Sequence, residues 1–306
     1  MPDKPLNYRV FQGGDAKANP GRMRFHRPNW MVHQRSMPTA TPSRKRQRKT
    51  YSAPALEKGL DIIELLANEG QPLATPAIAA RLNRSIGEIF RMIVVLEQRG
   101  YITTQSDDRF VLTLKLFELA ARDAPVNRLT AAAVDVMHRL AEDTQQSCHL
   151  AIYGNGRSIV VAQENSPSWR GLSVRLGAEA PLMHSCSGHL LLAFADPQSR
   201  RQMLESQPRH FGRRPGKTTV QRMTERVLKH GYESVKSAQV AGVRDIGYPV
   251  FNHSGQMTAA LVIPFLEHLD GSQAVSFEDC RTMLAQAAYD ISGALGYSPD
   301  GRGLDV

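Results

Sequence analysis

The chain's most chemically versatile stretch is Met183-His184-Ser185-Cys186-Ser187-Gly188-His189. His184, Cys186 and His189 are donors that a soft metal accepts, but no second cysteine pair joins them and their spacing matches no closed zinc pattern, so no metal is expected. Cys186, or Cys148 beside His149, is a conceivable nucleophile, yet neither has a recognisable oxyanion site or orienting carboxylate. A helix start suits the run better. Unpaired N–H groups at a helix N-terminus favour anions, so Ser185, Ser187 and the amides of Gly188 and His189 read as hydrogen-bonding a ligand carboxylate or carbonyl. The alternative is an ordinary cap with no ligand. No catalytic residue and no cofactor is expected, because Gly-x-Ser-x-Gly, a phosphate-cradling loop ending in Lys and Ser or Thr, and His-Glu-x-x-His are all missing. Gly154-Asn155-Gly156 reads as a hairpin turn, and Gly242 to Gly247 lacks the dinucleotide fingerprint.

A second candidate set lies at 84–91. Ser85 followed by Glu88 is a capping box, opening a helix whose buried stripe is Ile89, Met92, Ile93 and Leu96. The N-terminal end of such a helix can enter the major groove. Arg84 and Arg91 are the candidate readers of guanine edges or phosphates, and Ile86 could meet a thymine methyl. Ser85, Gly87 and Phe90 complete the exposed face, while Glu88 is better read as a cap than as a cytosine contact. Arg109 stands near the expected wing, placed for a minor-groove or backbone contact. Charge alone does not single this region out: from 51 to 113 eight acidic residues face six basic ones.

The elements that must position that helix are legible around it. From Ala53 an apolar stripe of Leu56, Leu60, Ile63 and Leu66 predicts a helix, with Ser52 and Pro54 as cap and first turn. Thr75 as N-cap with Pro76 at N1 predicts a short second helix that buries Ile78, Ala79 and Leu82. Two strands at 101–105 and 110–114, about a polar turn, then complete a winged helix-turn-helix over 51–113. Helical stretches at 116–122 and 126–140 supply a linker helix, placed at 114–127. The rest, 128–299, reads as an α+β sensor-like domain. Its strands are predicted at 145–153, 157–163, 172–176, 232–239, 244–251 and 257–264, and its helices at 188–195, 197–206, 220–230 and 276–295. Residues 300–306 are a tail.

Length and composition agree with two domains: 306 residues is about twice a typical domain. The net charge of +9 is unevenly placed. Residues 1–50 hold twelve Lys or Arg against Asp3 and Asp15, a balance of +10, so the remainder carries −1. With six prolines and no sustained period, 1–50 reads as a disordered basic arm able to add phosphate affinity, or as a solubilising tail or residues upstream of the true start. Three cysteines suggest a reducing compartment rather than a disulfide framework. Neither an apolar signal core nor a membrane-length span is present, which predicts a cytoplasmic protein with no membrane partner.

Three blocks, taken in order, resemble the IclR-type bacterial transcriptional regulators over about 52–297. They are Ala55-Leu56-Glu57-Lys58-Gly59-Leu60 with Leu96-Glu97-Gln98-Arg99-Gly100-Tyr101-Ile102, then the run from Arg175 to Ala193. The third is Gly231-Tyr232, Gly242-Val243-Arg244-Asp245-Ile246-Gly247-Tyr248-Pro249-Val250-Phe251 and Ala259-Ala260-Leu261-Val262. The resemblance implies an N-terminal winged helix-turn-helix, a linker helix and a C-terminal GAF-like effector-binding domain. It also implies homodimers or dimers of dimers on palindromic or near-palindromic double-stranded DNA operators, and small organic acid or aromatic effectors.

Carried over position by position, the resemblance puts Ser185, Cys186, Ser187 and Gly188 in the ligand-facing loop and helix start, and Tyr248 and Pro249 on a pocket-lining strand. This chain has Gln239 where the family often has an acid, and Leu261, Val262 and Ile263 where it often has small polar residues. Those departures point to a more apolar or aromatic ligand packed by Leu150, Trp169, Leu172 and Tyr248. The recognition helix departs as well: Gly87-Glu88-Ile89-Phe90-Arg91 keeps only Arg91 of the family's usual Ser-Thr-Val-His-Arg. The expectation is a ligand-responsive DNA-binding transcriptional regulator, not an enzyme, controlling catabolism of a small acid or aromatic compound. The alternatives are a small-molecule enzyme or binding protein with a sensor-like domain, and a protein-interaction module using the winged helix.

Overall fold

The computed structural model describes residues 52–298 other than Ser106, Ala121, Asp123, Arg213, Gln239 and Leu269. The basic segment 1–50, the tail 300–306 and the candidate Gln239 therefore lie outside the described residues. The chain folds as two compact units that part at Leu129/Thr130.

In the first unit, α1 (Pro54–Glu69), α2 (Thr75–Arg81) and α3 (Ile86–Gln98) precede a hairpin of β2 (Ile102–Gln105) and β3 (Arg109–Leu112). A two-residue strand not anticipated from the sequence, β1 (Leu73–Ala74), pairs antiparallel with β3, giving a three-stranded sheet in the order β1-β3-β2. That pairing corrects the start of α2. Ala74 is held extended opposite Arg109, so Ala74 is the N-cap, Thr75 is already the first helical residue, and no side chain caps the helix. The core joins Ile62, Leu66, Ile78, Ile89, Ile93, Ile102 and Phe110. The stripe expected on α1 is rotated: Leu56 and Leu60 are 64% and 47% exposed, whereas Ile62 is fully buried. At 3.6 residues per turn Leu60 stands about 200° round the helix from Ile62, so the two cannot share a buried face.

Two helices follow, α4 (Lys115–Ala120) and α5 (Ala124–Thr144), and the division between units falls inside α5. The expected linker 114–127 thus holds α4 and only the start of α5.

The second unit is an antiparallel six-stranded sheet with helices on both faces. Its strands are β4 (Cys148–Gly154), β5 (Arg157–Glu164), β6 (Glu179–Pro181), β7 (Glu233–Lys236), β8 (Val243–Phe251) and β9 (Met257–Leu266), in the order β6-β5-β4-β9-β8-β7. The helices are α6 (Cys186–Phe194), α7 (Pro197–Glu205), α8 (Lys217–His230) and α9 (Phe277–Ala294). The strand expected at 172–176 does not form; the sheet's edge strand is β6 instead. Asn155 and Gly156, with φ of 47° and 84°, make the tight β4–β5 turn. α6 is apolar nearly all round and every residue from Leu190 to Phe194 is buried, as expected of a helix enclosed in a core.

β4, β9 and β8 lie at the centre of the sheet and are covered on both sides. On one side Cys148 of β4 meets the Met137 carbonyl of α5, and Tyr248 of β8 hydrogen-bonds Arg281 of α9. On the other, Gly247 lets α6 approach: a Cβ there would stand 2.8 Å from Leu190 and 2.9 Å from the Cys186 sulfur. This close approach brings the start of α6 down onto the sheet.

Candidate functional site

Two helix starts carry the sites suggested by the sequence. At α3, Ser85 is extended and its hydroxyl accepts from the Glu88 amide at 3.4 Å, while the Glu88 carboxylate accepts from the Ser85 amide at 3.2 Å. Lys58 Nζ on α1 donates to the same carboxylate at 2.7 Å. The Lys58 hydrogen bond, followed by those from Ser85, holds the Glu88 carboxyl down to about 2. Glu88 is thus occupied as a cap and ion-pair partner, which excludes it as a cytosine acceptor in this arrangement.

Arg84 is also engaged, 3.7 Å from Asp61, and Arg81 lies 3.1 Å from Glu69. Three of the winged unit's basic residues are therefore held by its own carboxylates. Arg91, Arg99 and Arg109 make no ion pair among the described residues. Ile86 and Phe90 are more than half exposed, and with Ser85, Gly87 and Arg91 they form the open N-terminal face of α3. Arg109 begins β3 beside a loop whose Asp107 and Asp108 both have positive φ, so it shares that end of the wing with two carboxylates.

In the second unit, a cavity of about 340 Å³ lies between the α6 start, the sheet and the segments around 172–180 and 237–240. Leu172, Ser185, Cys186 and Ser187 line it. Ser185 caps α6: its hydroxyl accepts from the Gly188 amide at 3.1 Å and donates to the Pro181 carbonyl at 2.9 Å. The His189 amide bonds the Ser185 carbonyl at 3.0 Å. The two amides expected to meet a ligand, those of Gly188 and His189, are thus used within the helix start. The amides of Cys186 and Ser187 make no hydrogen bond among the described residues. Gly188 serves packing, since a Cβ would stand 2.3 Å from the Leu182 carbonyl oxygen.

Most of the other expected contacts are not brought to the cavity. Leu150, Leu261 and Tyr248 are cross-strand partners in one row of β4, β9 and β8. Tyr248 points to the α9 side, stacked on Tyr232 with ring centroids 5.2 Å apart. The row one residue away, His149, Val262 and Gly247, is on the cavity side, and His149 and Val262 line it. Successive strand residues face opposite ways, so a choice wrong by one residue moves the whole row through the sheet. Pro249 has the cavity-side parity but lies beyond the wall. Trp169 is 86% exposed, with the Arg170 guanidinium 4.4 Å from its ring centroid, and takes no part.

The cavity adds titratable residues not selected from the sequence, Arg175, Glu179 and, on the central strands, His149 and Asp245. His149 is 7% exposed, its Nδ1 has no hydrogen-bond partner, and burial pushes its pKa down to about 4. Asp245 is half-buried, and burial pushes its carboxyl up to about 6. His149 and Asp245 each interrupt an apolar strand, which was the available signal. Ser158 and Ser187 hydrogen-bond each other at 2.8 Å in the wall.

Nothing here supports bond-making chemistry. Burial pushes the Cys148 thiol up to about 12 and Cys186 well above its ordinary value, so neither supplies a thiolate. Both His189 ring nitrogens are engaged, by Glu233 at 2.8 Å and the Met183 carbonyl at 3.1 Å. No group of three or more His, Cys, Asp or Glu residues able to hold a metal exists among the described residues. Nor, among them, is any helix long and apolar enough to cross a membrane.

Known proteins match both halves. Residues 55–106 match the IclR helix-turn-helix domain, and 125–293 match the family described as "Bacterial transcriptional regulator IclR C-terminal". The HTH-type transcriptional regulator KdgR of Escherichia coli (strain K12) is 26% identical over 250 residues, covering 80% of this chain and 94% of its own length. The HTH-type transcriptional repressor AllR of Salmonella typhi is 24% identical over 255 residues, covering 81% and 92%. Two solved structures share the fold at 23% identity, each covering 79% of this chain and 98% of its own. One is an IclR homolog from Microbacterium hydrocarbonoxydans complexed with 4-hydroxybenzoate, with a TM-score of 0.63, and the other is Thermotoga maritima IclR, at 0.59. The winged unit, the antiparallel effector unit and these matches lead to one conclusion: the chain belongs to the IclR family of bacterial transcriptional regulators.

Proposed function

We propose that this regulator reads a palindromic or near-palindromic duplex operator through the N-terminal face of α3. On this reading it works in the cytoplasm as a dimer or dimer of dimers, and a small organic acid or aromatic effector in the second unit's cavity controls its binding. The observation that carries the reading is the exposed start of α3, where Ile86, Gly87 and Phe90 share the open face with Arg91, which makes no ion pair among the described residues. A bidentate arginine contact to guanine is worth about 1–3 kcal/mol of base discrimination. Arg84 must first leave Asp61 to contribute, so Arg91 is the principal reader.

The cavity offers an acid its donors at the unpaired amides of Cys186 and Ser187, where the helix dipole also favours negative charge. The bound 4-hydroxybenzoate of the Microbacterium homolog supports the same chemical class. Self-association finds support in α4, which buries none of its side chains: Phe117 is 70% exposed and the preceding Leu114 is 73% exposed. Effector binding regulates only if the ligand has different affinities for DNA-competent and incompetent arrangements.

The test is operator binding by Arg84→Ala/Arg91→Ala on promoter fragments recovered by genome-wide binding. Loss of operator-specific binding, with a residual non-specific affinity, is expected. Retained affinity and selectivity would overturn the assignment of α3 as the reading element.

A further inference from the structure

The cavity contains a carboxylate that the chain leaves without a counter-charge. Asp245 lies on β8 in the cavity-facing parity, and its oxygens make no hydrogen bond or ion pair among the described residues. Its immediate strand surroundings are apolar: Val243 two residues away and Pro264 directly opposite on β9. Burial pushes its carboxyl up, and the cavity-lining Arg175 makes no ion pair with it. His149 cannot neutralise it either. That ring, more than nine-tenths buried in the same wall with Nδ1 unpartnered, is kept uncharged near neutral pH by burial.

The α6 start, lining the same cavity, has the opposite character. It presents the amides of Cys186 and Ser187, which make no hydrogen bond among the described residues, and the Ser187 hydroxyl, which accepts from Ser158 and keeps its own proton to donate, a setting for an anion. A ligand that was only an anion would satisfy this end and leave the half-buried Asp245 carboxylate without a partner. A hydroxyl would supply one donor but no charge. An ammonium supplies both, and a charge-assisted bond is the stronger kind. The volume, about 340 Å³, suits a small bifunctional molecule.

We infer that the effector is a carboxylic acid that also carries a cationic nitrogen, its ammonium pairing with Asp245 and its carboxylate meeting the amides of Cys186 and Ser187. The inference rests on the reading of this cavity as the effector site.

Three aromatic acids of nearly equal shape test it on the full chain: 4-(aminomethyl)benzoate, 4-(hydroxymethyl)benzoate and 4-methylbenzoate, compared by calorimetry and thermal shift. The aminomethyl compound is expected to bind at least tenfold tighter than the methyl compound. Asp245→Asn, similar in shape but uncharged, is expected to erase that preference, and Asp245→Ser carries the comparison if the asparagine variant does not fold. Equal or tighter binding of the methyl or hydroxymethyl compound, an amine preference that survives removal of the carboxylate, or no binding by any of the three overturns the inference. Operator binding scored on the same preparations separates the failures. A missing amine preference with operator binding intact overturns this inference alone, and loss of operator binding overturns the regulator reading beneath it as well.

Discussion

The starts of α3 and α6 use the same local device in opposite environments. Each opens on a serine in the extended conformation whose hydroxyl accepts from the amide three residues on, Ser85 from Glu88 and Ser185 from Gly188. At α3 the third residue has a long side chain that returns the bond and reaches Lys58, and the turn faces solvent. At α6 the third residue has no side chain because the Leu182 backbone fills its place, and the turn faces a cavity. A cap therefore fixes where a helix begins. What the exposed end addresses, a duplex or an enclosed ligand, is set by what packs beside it.

The largest break of this comparison is at its third residue and its neighbour. Gly188→Ala would force a Cβ to within 2.3 Å of a backbone oxygen, and should destabilise the second unit by about 3 kcal/mol or more in urea unfolding. Gly87→Ala at α3 meets nothing within 4 Å and should be neutral, or stabilising by under about 1 kcal/mol. Equal effects would show that the two starts are not enclosed differently.

Arg91→Ala should weaken operator binding by about 2 kcal/mol, roughly 30-fold, with unfolding unchanged. Arg84→Ala should cost less, because the Asp61 pair already holds that guanidinium. The reverse order in a titration of operator DNA would move the reading role to Arg84.

His149 gives the cavity a pH signature between about 6.5 and 4, above the range in which Glu88 at the α3 start acts. Its folded pKa, about 4, lies below its ordinary 6.5, so on acidification the unfolded chain takes the proton first. The stability it contributes is full above about 6.5 and is lost as pH falls towards 4. By pH 5 the loss approaches about 2 kcal/mol. Asp245 acts in the opposite sense, its raised pKa adding stability as pH falls from about 6. Comparing His149→Phe with the unmodified chain at pH 7 and pH 5 isolates the histidine: the variant should lose less on acidification, and parallel losses would contradict the buried neutral ring.

The smallest effects belong to the caps. Ser85→Ala should cost about 1 kcal/mol, and Ser185→Ala somewhat more, because its hydroxyl also bonds the Pro181 carbonyl. Thermal midpoints of the two variants order them.

Much of the winged unit was legible because its signals are local. The Ser85–Glu88 box, the Ile89–Ile93 stripe and the polar hairpin turn each act over a few residues, and the structure forms all three. Local signals fail where an element's direction depends on a distant partner. Leu56 and Leu60 are as apolar as Ile62, so composition could not say which face of α1 turns inward. Thr75 lost its cap role to a pairing between Ala74 and Arg109, 35 positions apart in the chain.

The cavity was harder to read for the same reason. The Ser185–Ser187 turn announces itself through small polar residues before an apolar helix, and three of its residues do line the cavity. Leu150, Tyr248 and Leu261 lie on strands where both faces are buried, so no alternation marks the cavity side. The informative residues were the polar exceptions, His149 and Asp245.

By itself the sequence determined the starts of α3 and α6, the positions of most strands along the chain and the family resemblance, because caps, turns and periodicities are read by the backbone within a few residues. Only the tertiary structure decided which side of the central sheet is the ligand side, that Glu88 and Arg84 are engaged within the fold, and that Asp245 is left without a counter-charge. Those facts arise when strands and helices remote in the chain meet, and parity, ion pairing and desolvation exist only after they have met.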